Sequence, residues 1–144
     1  MQITYFSDYS LRVLVYLAVK DDKASIAEMS QAFGISKNHL GKAVHHLIKL
    51  GCLKSIRGKM GGVTLAREPE KINLGEIIQK LEPHMDIVEC FNRQKDTCTI
   101  TPACHLKGVF QEAKDAFFAV LKKYSLADIA KNKKELSRYI LHSP

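Results

Sequence analysis

The chain has 144 residues, of which 46% are hydrophobic, and 22 Lys and Arg outnumber 15 Asp and Glu to give a formal charge of +7. This composition excludes wholesale disorder and fits one compact domain, or one small domain with an arm. No apolar run approaches the roughly 20 residues of a membrane helix, and the first ten residues lack the layout of a signal peptide. We therefore expect a soluble, cytoplasmic protein that does not bind membranes.

The positive charge is concentrated in the first half of the chain. Residues 1–67 hold ten Lys and Arg against four Asp and Glu, whereas residues 68–144 hold twelve against eleven. A basic half joined to a neutral half indicates that the basic half binds a polyanion. A solvated basic surface explains the charge equally well. The order of helices and strands along the chain is therefore needed to choose between the two interpretations.

The first two predicted elements are helices. A broad apolar face over residues 7–20 predicts a mostly buried first helix. Ser25, followed three residues later by Glu28, predicts the capping box of a second helix that ends near Phe33. Gly34 can take the positive φ of a tight turn after that helix.

A third helix and a hairpin follow. Ser36 is the expected N-cap of a helix that runs to Leu50. Residues 53–57 and 63–66 read as two strands around a glycine-rich basic tip at 58–62, which is typical of a β-hairpin. A helix-turn-helix followed by a hairpin, in the positively charged half of the chain, indicates a winged-helix DNA-binding domain. A winged helix used only for protein contacts is the competing interpretation.

The third helix offers candidate DNA contacts. Leu40, Val44 and Leu47 lie on one line and must face the core, which leaves the polar side chains outward. The N-terminal part of a recognition helix reaches base edges, so Lys37 and Asn38 are the base-contact candidates for guanine and adenine. The other candidates would meet phosphates or the minor groove, and the full DNA-binding set is Ser36, Lys37, Asn38, His39, Lys42, His45, Lys49, Arg57 and Lys59. Metal binding by the histidines of this helix is the less favoured alternative.

The next predicted elements are a short helix and a loop. Asn73, with Glu76 three residues on, predicts the start of a helix over residues 74–81 that Pro83 stops. Residues 84–101 have no steady period, and a loop of that length is usually functional when it is ordered.

Two further helices complete the chain. Pro102 suits the first turn of a long helix that reaches about Tyr124, and Ser125 with Asp128 opens a last helix toward Leu141. The long helix carries an apolar stripe larger than a small domain can cover, so we expect it to build a homodimer. The alternative is that the stripe packs on its own domain. Its members are Leu106, Val109, Phe110, Ala113, Phe117, Val120 and Leu121.

Three of the four cysteines, Cys90, Cys98 and Cys104, lie within fifteen residues. Cys52 stands apart, which predicts a small, partly buried hydrophobe. Disulfides are rare in the cytoplasm, and a thiolate triplet suits zinc or the iron of an iron–sulfur cluster. A zinc site would be expected to have C-x2-C spacing and four N or S ligands. Because the chain has neither, the spacing favours a loop-held cluster with one place left for a weaker ligand.

The segments MQITYFSDYSLRVLVYLA, SKNHLGKAVHHL and RGKMGG, with the cysteine stretch through TPACHLK, resemble the nitric-oxide-sensing repressors of the winged-helix Rrf2 family. The resemblance covers nearly the whole chain, and its most specific part is the cysteine triplet followed by Leu-Lys. Sister iron–sulfur regulators of the family have a His three residues after the third Cys. This chain has Lys107 there, which argues against a site of that type.

The resemblance implies a homodimeric transcriptional repressor with one iron–sulfur cluster per subunit, [4Fe-4S] favoured over [2Fe-2S]. It implies Cys90, Cys98 and Cys104 as ligands, with Asp8 from the first helix of the partner subunit as the fourth. Nitric oxide is the implied signal, and release of operator DNA the implied response. Asp8 could instead be an N-terminal carboxylate that its helix dipole stabilises.

The predicted fold is mainly α with a small β-hairpin. A winged helix-turn-helix domain spans 1–68, a linker helix and cluster-binding loop span 69–101, and a dimerisation helix and C-terminal helix span 102–144. No nucleophile–base pair or phosphate loop is visible, so we expect no enzyme activity. Two other classes stay open: a regulator that senses redox state through thiols or cluster occupancy, and an electron carrier or enzyme subunit. The basic winged helix and the lack of a fourth cluster cysteine argue against the second.

Overall fold

The computed structural model describes residues 2–142. In this part of the chain, helices surround one small antiparallel hairpin, and short 3-10 turns connect several of them. The elements are α1 (Tyr5–Lys20), α2 (Ile26–Phe33), α3 (Lys37–Lys49), β1 (Leu53–Ile56), β2 (Gly62–Leu65), α4 (Leu74–Leu81), α5 (His105–Leu121), α6 (Leu126–Ile129) and α7 (Lys133–Ile140).

Local hydrogen bonds start the helices of the first half. The Ser25 hydroxyl accepts from the backbone N–H of Glu28, and the Glu28 carboxylate accepts from the N–H of Ser25, so the predicted capping box is confirmed. Gly34 has the expected positive φ of 64° after α2, and the Ser36 side chain accepts from the N–H of His39 at the start of α3. These contacts fix the turn that separates α2 from α3.

The core of the first half lies between α1, α2 and α3. Leu14 of α1, Met29 of α2 and Leu40 and Leu47 of α3 are fully buried. Burial of such side chains contributes about 1.5–3 kcal/mol each, which holds α3 across α1 and leaves its opposite side in solvent.

An isolated backbone bridge joins the hairpin to the segment between α1 and α2. Leu53 pairs with Leu65 in the β1–β2 ladder. The backbone of Ala24, between α1 and α2, exchanges hydrogen bonds of 2.8 and 2.9 Å with Val63 of β2. Three helices with a hairpin anchored in this way form a winged helix, as the sequence predicts.

The second half folds back on the first. Asn73 and Ser125 form an isolated antiparallel bridge, and the Asn73 side chain donates 2.8 Å to the carbonyl of Lys122. This brings the start of α4 to the end of α5, after which α6 and α7 pack against α1. Leu126 and Ala130 therefore belong to the same core as α1. The division of the chain after residues 68 and 101 stays a prediction.

Two predicted helices have different bounds in the structure. The long helix begins at His105 rather than Pro102 because Pro102 lies in a separate 3-10 turn, Thr101–Ala103. Cys104, with φ −82° and ψ 108°, is extended and breaks the chain direction between turn and helix.

The predicted last helix is two helices, α6 and α7. Asn132 has φ −88° and ψ 43°, outside the helical region, and interrupts the predicted span. Its backbone carbonyl accepts from the N–H groups of Glu135 and Leu136 at 3.0 Å, so a new helix starts there. Residues 143 and 144, the end of the predicted 102–144 segment, lie outside the described residues.

Candidate nucleic-acid interface and cysteine segment

The polar side of α3 is in solvent. Leu40, Val44 and Leu47 are at most 4% exposed, so the predicted inward line of the helix is confirmed. All seven candidate DNA-binding residues at the N-cap and in α3 are exposed, namely Ser36, Lys37, Asn38, His39, Lys42, His45 and Lys49. The fold therefore presents them together on the side of α3 that faces away from the core.

Two aromatic contacts join α3 to α1. The ring of His39 lies 6.0 Å from that of Tyr9, and the ring of His46 meets that of Phe6 edge-on at 5.4 Å. His46 is half-buried, so it faces α1 rather than solvent. The His39 contact supports the N-terminal half of α3, where the base-contact candidates lie, and the His46 contact supports its last turn.

The tip of the hairpin is closed by glycines. Gly58 has φ 111°, a conformation that L side chains rarely adopt, and the N–H of Gly61 donates 3.0 Å to its carbonyl. A Cβ at Gly61 would lie 2.9 Å from that same oxygen, closer than atoms pack. Arg57 and Lys59 are exposed on this tip.

The basic side chains of this surface carry unneutralised charge. No ion pair between residues 2 and 142 involves them. Phosphate oxygens are the anions that such exposed Lys and Arg side chains bind on DNA. The residues concerned are Lys37, Lys42, Lys49, Arg57 and Lys59.

The three clustered cysteines are free thiols, each partly exposed. Cys90 lies in the 3-10 turn Glu89–Phe91. The backbone N–H of Cys98 donates 3.1 Å to the carboxylate of Asp96, which also accepts from the Thr101 hydroxyl at 3.0 Å. Asp96 thus shapes the segment between the second and third cysteines. Its signal in the sequence is an Asp two residues before the N–H it binds, the spacing of an Asx turn.

The donor set of this segment has the right chemistry for iron, because reduced thiols are the ligands of iron–sulfur clusters. Across residues 2–142, however, no three His, Cys, Asp or Glu side chains are gathered closely enough to hold a metal ion. A single chain thus contains the predicted cysteine ligands but does not bring three of them together in one metal site. The same finding gives no support to a histidine metal site on α3.

Asp8 lies in the first turn of α1. Its carboxylate is 36% exposed and accepts 2.8 Å from the guanidinium of Arg12, one turn later. Within one chain Asp8 is therefore a carboxylate at a helix N-terminus that pairs with Arg12. This agrees with the alternative in which the helix dipole stabilises it. Ligation of a partner's cluster stays a prediction.

Cys52 is fully buried behind the hairpin. Burial raises the pKa of its thiol, which disfavours the thiolate that binds metals and reacts. The prediction of an apolar role is supported, although the side chain is more deeply buried than expected.

Glu82 makes a contact with Thr4 that could not be predicted from the sequence. It ends α4, just before the cysteine segment, and its Oε1 accepts from the N–H and the hydroxyl of Thr4, both at 2.7 Å. Burial raises the pKa of this carboxyl, but hydrogen bonds from Ser7 and Thr4 outweigh that effect and the pKa is lowered overall. The end of α4, from which the chain continues into the segment that holds Cys90, Cys98 and Cys104, is thus bonded to the start of α1.

The apolar stripe of α5 is partly exposed to solvent. Leu106, Val109 and Val120 are 50–58% exposed, while Phe118, on the other side of the helix, is buried. Phe110 and Phe117 line an apolar groove of about 270 Å³ beside the helix. Within one chain the stripe is thus covered in part, at Phe110, Phe117 and Leu121, and the choice between a dimer interface and packing on its own domain stays open.

Three helices, an anchored hairpin and an unneutralised basic recognition helix define a winged-helix DNA-binding regulator. The Rrf2 family, described as iron-dependent transcriptional regulators, matches residues 3–132. The chain belongs to this family, and it is a transcriptional regulator rather than an enzyme. No helix in the described part is long and apolar enough to cross a membrane.

Several relatives cover almost the full chain. The chain is 46% identical over 138 residues to the HTH-type transcriptional regulator NsrR of Shouchella clausii, covering 94% of this chain and 93% of that relative. It is 44% identical over 142 residues to NsrR of Bacillus subtilis, covering 97% of each.

Solved structures agree on the fold. CymR, the global cysteine regulator of B. subtilis, is 28% identical with a TM-score of 0.72, covering 91% of this chain and 97% of that one. IscR of T. potens is also 28% identical with a TM-score of 0.72, covering 94% and 90%.

Proposed function

We propose that this regulator is a cytoplasmic repressor that binds operator DNA as a homodimer and releases it in response to nitric oxide. An iron–sulfur cluster held by Cys90, Cys98 and Cys104 would make the response possible. The observation that carries the proposal is the set of three reduced, partly exposed thiols on one segment, in a chain so similar to regulators named NsrR.

The proposed cluster has four protein ligands, three cysteines of one subunit and one aspartate of its partner. A bound cluster, [4Fe-4S] in preference to [2Fe-2S], supplies iron that nitric oxide can attack. The three cysteines would bind it as thiolates. Asp8 of the partner subunit would be the fourth and weakest ligand, and it would have to leave or share its 2.8 Å bond to Arg12.

The winged helix would supply DNA recognition. We assign base contacts to Lys37 and Asn38, at the start of α3, and phosphate contacts to Lys42 and Lys59, whose charges are unneutralised. The partly exposed apolar stripe of α5 would join two subunits. Their recognition helices would then enter successive major grooves, roughly 34 Å apart.

A chain of contacts supports coupling between the two regions. Glu82, before the cysteine segment, binds Thr4 at the start of α1, and α1 meets α3 through Tyr9 and His39. A tenfold change in DNA affinity needs only about 1.4 kcal/mol of coupling free energy, a magnitude that the loss of one ligand between subunits can supply.

The cluster is tested by anaerobic purification followed by iron and acid-labile sulfide analysis. We expect the wild-type protein to contain both, and Cys90→Ser, Cys98→Ser and Cys104→Ser each to abolish them. Cys52→Ala is the matched control and should retain both. A colourless protein with stoichiometric zinc would contradict the proposal. A reversible disulfide without iron would favour the thiol-sensing alternative.

Asp8 is tested in the same preparation. Because three thiolates remain, Asp8→Ala should keep its iron but change its absorption spectrum. It should also bind DNA no better than the iron-free wild-type protein. An unchanged spectrum with full DNA affinity would remove Asp8 from the ligand set and leave the three-cysteine site standing.

A further inference from the structure

The C-terminus of α3 ends in a defined set of hydrogen bonds to its carbonyls. Gly51 has φ 70°, and the N–H of Cys52 donates to the carbonyl of Leu47 while that of Gly51 donates to Ile48, both at 2.9 Å. This pair of bonds is a Schellman motif. The carbonyls of Leu50 and Gly51, at the very end of the helix, lie beyond these two bonds.

Arg67 takes both of these carbonyls. Its Nε donates 2.9 Å to Gly51 and its Nη2 donates 2.9 Å to Leu50. Arg67 comes two residues after β2, and the preceding N–H, that of Ala66, donates 2.8 Å to the carbonyl of Cys52. One guanidinium thus bridges the end of the recognition helix and the return strand of the hairpin.

The chemistry of this bridge is specific to arginine. The planar guanidinium places two N–H donors side by side, whereas a lysine ammonium is a point charge on a flexible stem. A positive charge at the C-terminus of a helix is also stabilised by the helix dipole. The bridge therefore restrains both the position and the direction of the helix end.

We propose that Arg67 is a positioning residue for DNA recognition. It sets the angle between α3 and the wing, so that Asn38 at one end and Arg57 on the hairpin tip reach DNA together. The inference rests on the proposed DNA binding and adds a residue that does not itself touch DNA. The 13 residues of α3 span about 20 Å. A rotation of about 10° at the C-terminus would thus move the N-terminal end by about 3 Å, as long as a hydrogen bond to a base.

The test compares Arg67→Gln and Arg67→Lys with Arg57→Gln as the control. Two DNA probes are used. The first, called the selected duplex, is a duplex that the wild-type protein enriches from a random pool. The second is a random-sequence duplex of equal length. Binding to each is measured over a series of salt concentrations, and circular dichroism measures folding.

We expect both Arg67 variants to lose about tenfold in affinity for the selected duplex, with little change for the random duplex. The slope of log affinity against log salt should stay at the wild-type value because no phosphate contact is lost. Arg57→Gln should weaken binding to both duplexes and lower that slope by about one unit.

Two results would overturn the inference. Equal losses on both duplexes with a lower salt slope would make Arg67 a phosphate contact, and wild-type discrimination in both variants would make it a structural cap only. If Arg67→Gln does not fold, Arg67→Lys decides by the same criteria. A wild-type chain that enriches no sequence would contradict DNA recognition itself, a failure separate from that of Arg67.

Discussion

Glu82→Gln tests the contact between the cysteine segment and α1. The Oε1 atom of Glu82 accepts two bonds of 2.7 Å from Thr4, and Ser7 adds a third hydrogen bond. A glutamine has the same size and keeps an accepting oxygen, but it loses the negative charge near the N-terminus of α1. The substitution thus removes the charge and little else.

The contacts set the size of the effect. A hydrogen bond to a charged group contributes about 1.5–3 kcal/mol, against 0.5–1.5 for a neutral one, and a charge at a helix N-terminus adds about 0.3–1 kcal/mol. Because Glu82 is only half-buried and the glutamine retains part of the bonding, we expect the free energy of unfolding to fall by about 1–2 kcal/mol at pH 7.

The effect should depend on pH in one direction. The hydrogen bonds hold the pKa of Glu82 below its ordinary value of 4.5. A carboxyl whose pKa is lower in the folded than in the unfolded state stabilises the fold above its unfolded pKa and loses that contribution as pH falls through the folded pKa. The difference between wild type and variant should therefore be full at pH 7 and shrink below pH 4.5.

Urea unfolding of the iron-free proteins, measured at pH 7 and pH 3.5, gives both quantities. Glu70→Gln is the control, because Glu70 is exposed and should show no difference at either pH. An equal loss of stability at both pH values, or none at pH 7, would refute the role of the Glu82 charge.

The remaining predictions concern assembly and DNA recognition. Phe117→Asp places a charge on the partly exposed stripe of α5 and should give monomers with weak affinity for the selected duplex, whereas an unchanged dimer in sedimentation velocity would remove α5 as the interface. Asn38→Ala should cost about 1–3 kcal/mol of discrimination between selected and random duplexes, and full discrimination would show that the assigned register of α3 is wrong. Lys42→Ala should weaken binding to both duplexes and lower the salt slope by about one unit, which a sequence-specific loss would contradict.

The helix starts could be predicted because their bonds are local. Ser25 with Glu28, and Ser125 with Asp128, form capping boxes between residues three apart, so spacing alone is enough to identify them. The inward line of α3 follows in the same way from its periodicity. Such local patterns were enough to predict the winged helix without information on contacts between distant residues.

The missed features depend on distant contacts. Glu82 and Thr4 are 78 residues apart in sequence, and Arg67 binds carbonyls 16 and 17 residues away. The break at Cys104 was missed because Pro102 suits either a first helical turn or a separate 3-10 turn. Cysteine spacing indicates that three thiols share a segment, but it does not give the distances between them.

The central claim, that nitric oxide releases DNA through the cysteine segment, has one direct test. Anaerobically isolated wild-type protein is bound to the selected duplex and titrated with nitric oxide, while fluorescence anisotropy and visible absorption are recorded together. We expect DNA to be released over the same range of nitric oxide concentration in which the cluster absorption changes. Cys98→Ser should show neither the visible absorption of a cluster nor a response to nitric oxide. Iron-loaded protein that keeps its full DNA affinity after its absorption has changed would contradict release through the cluster.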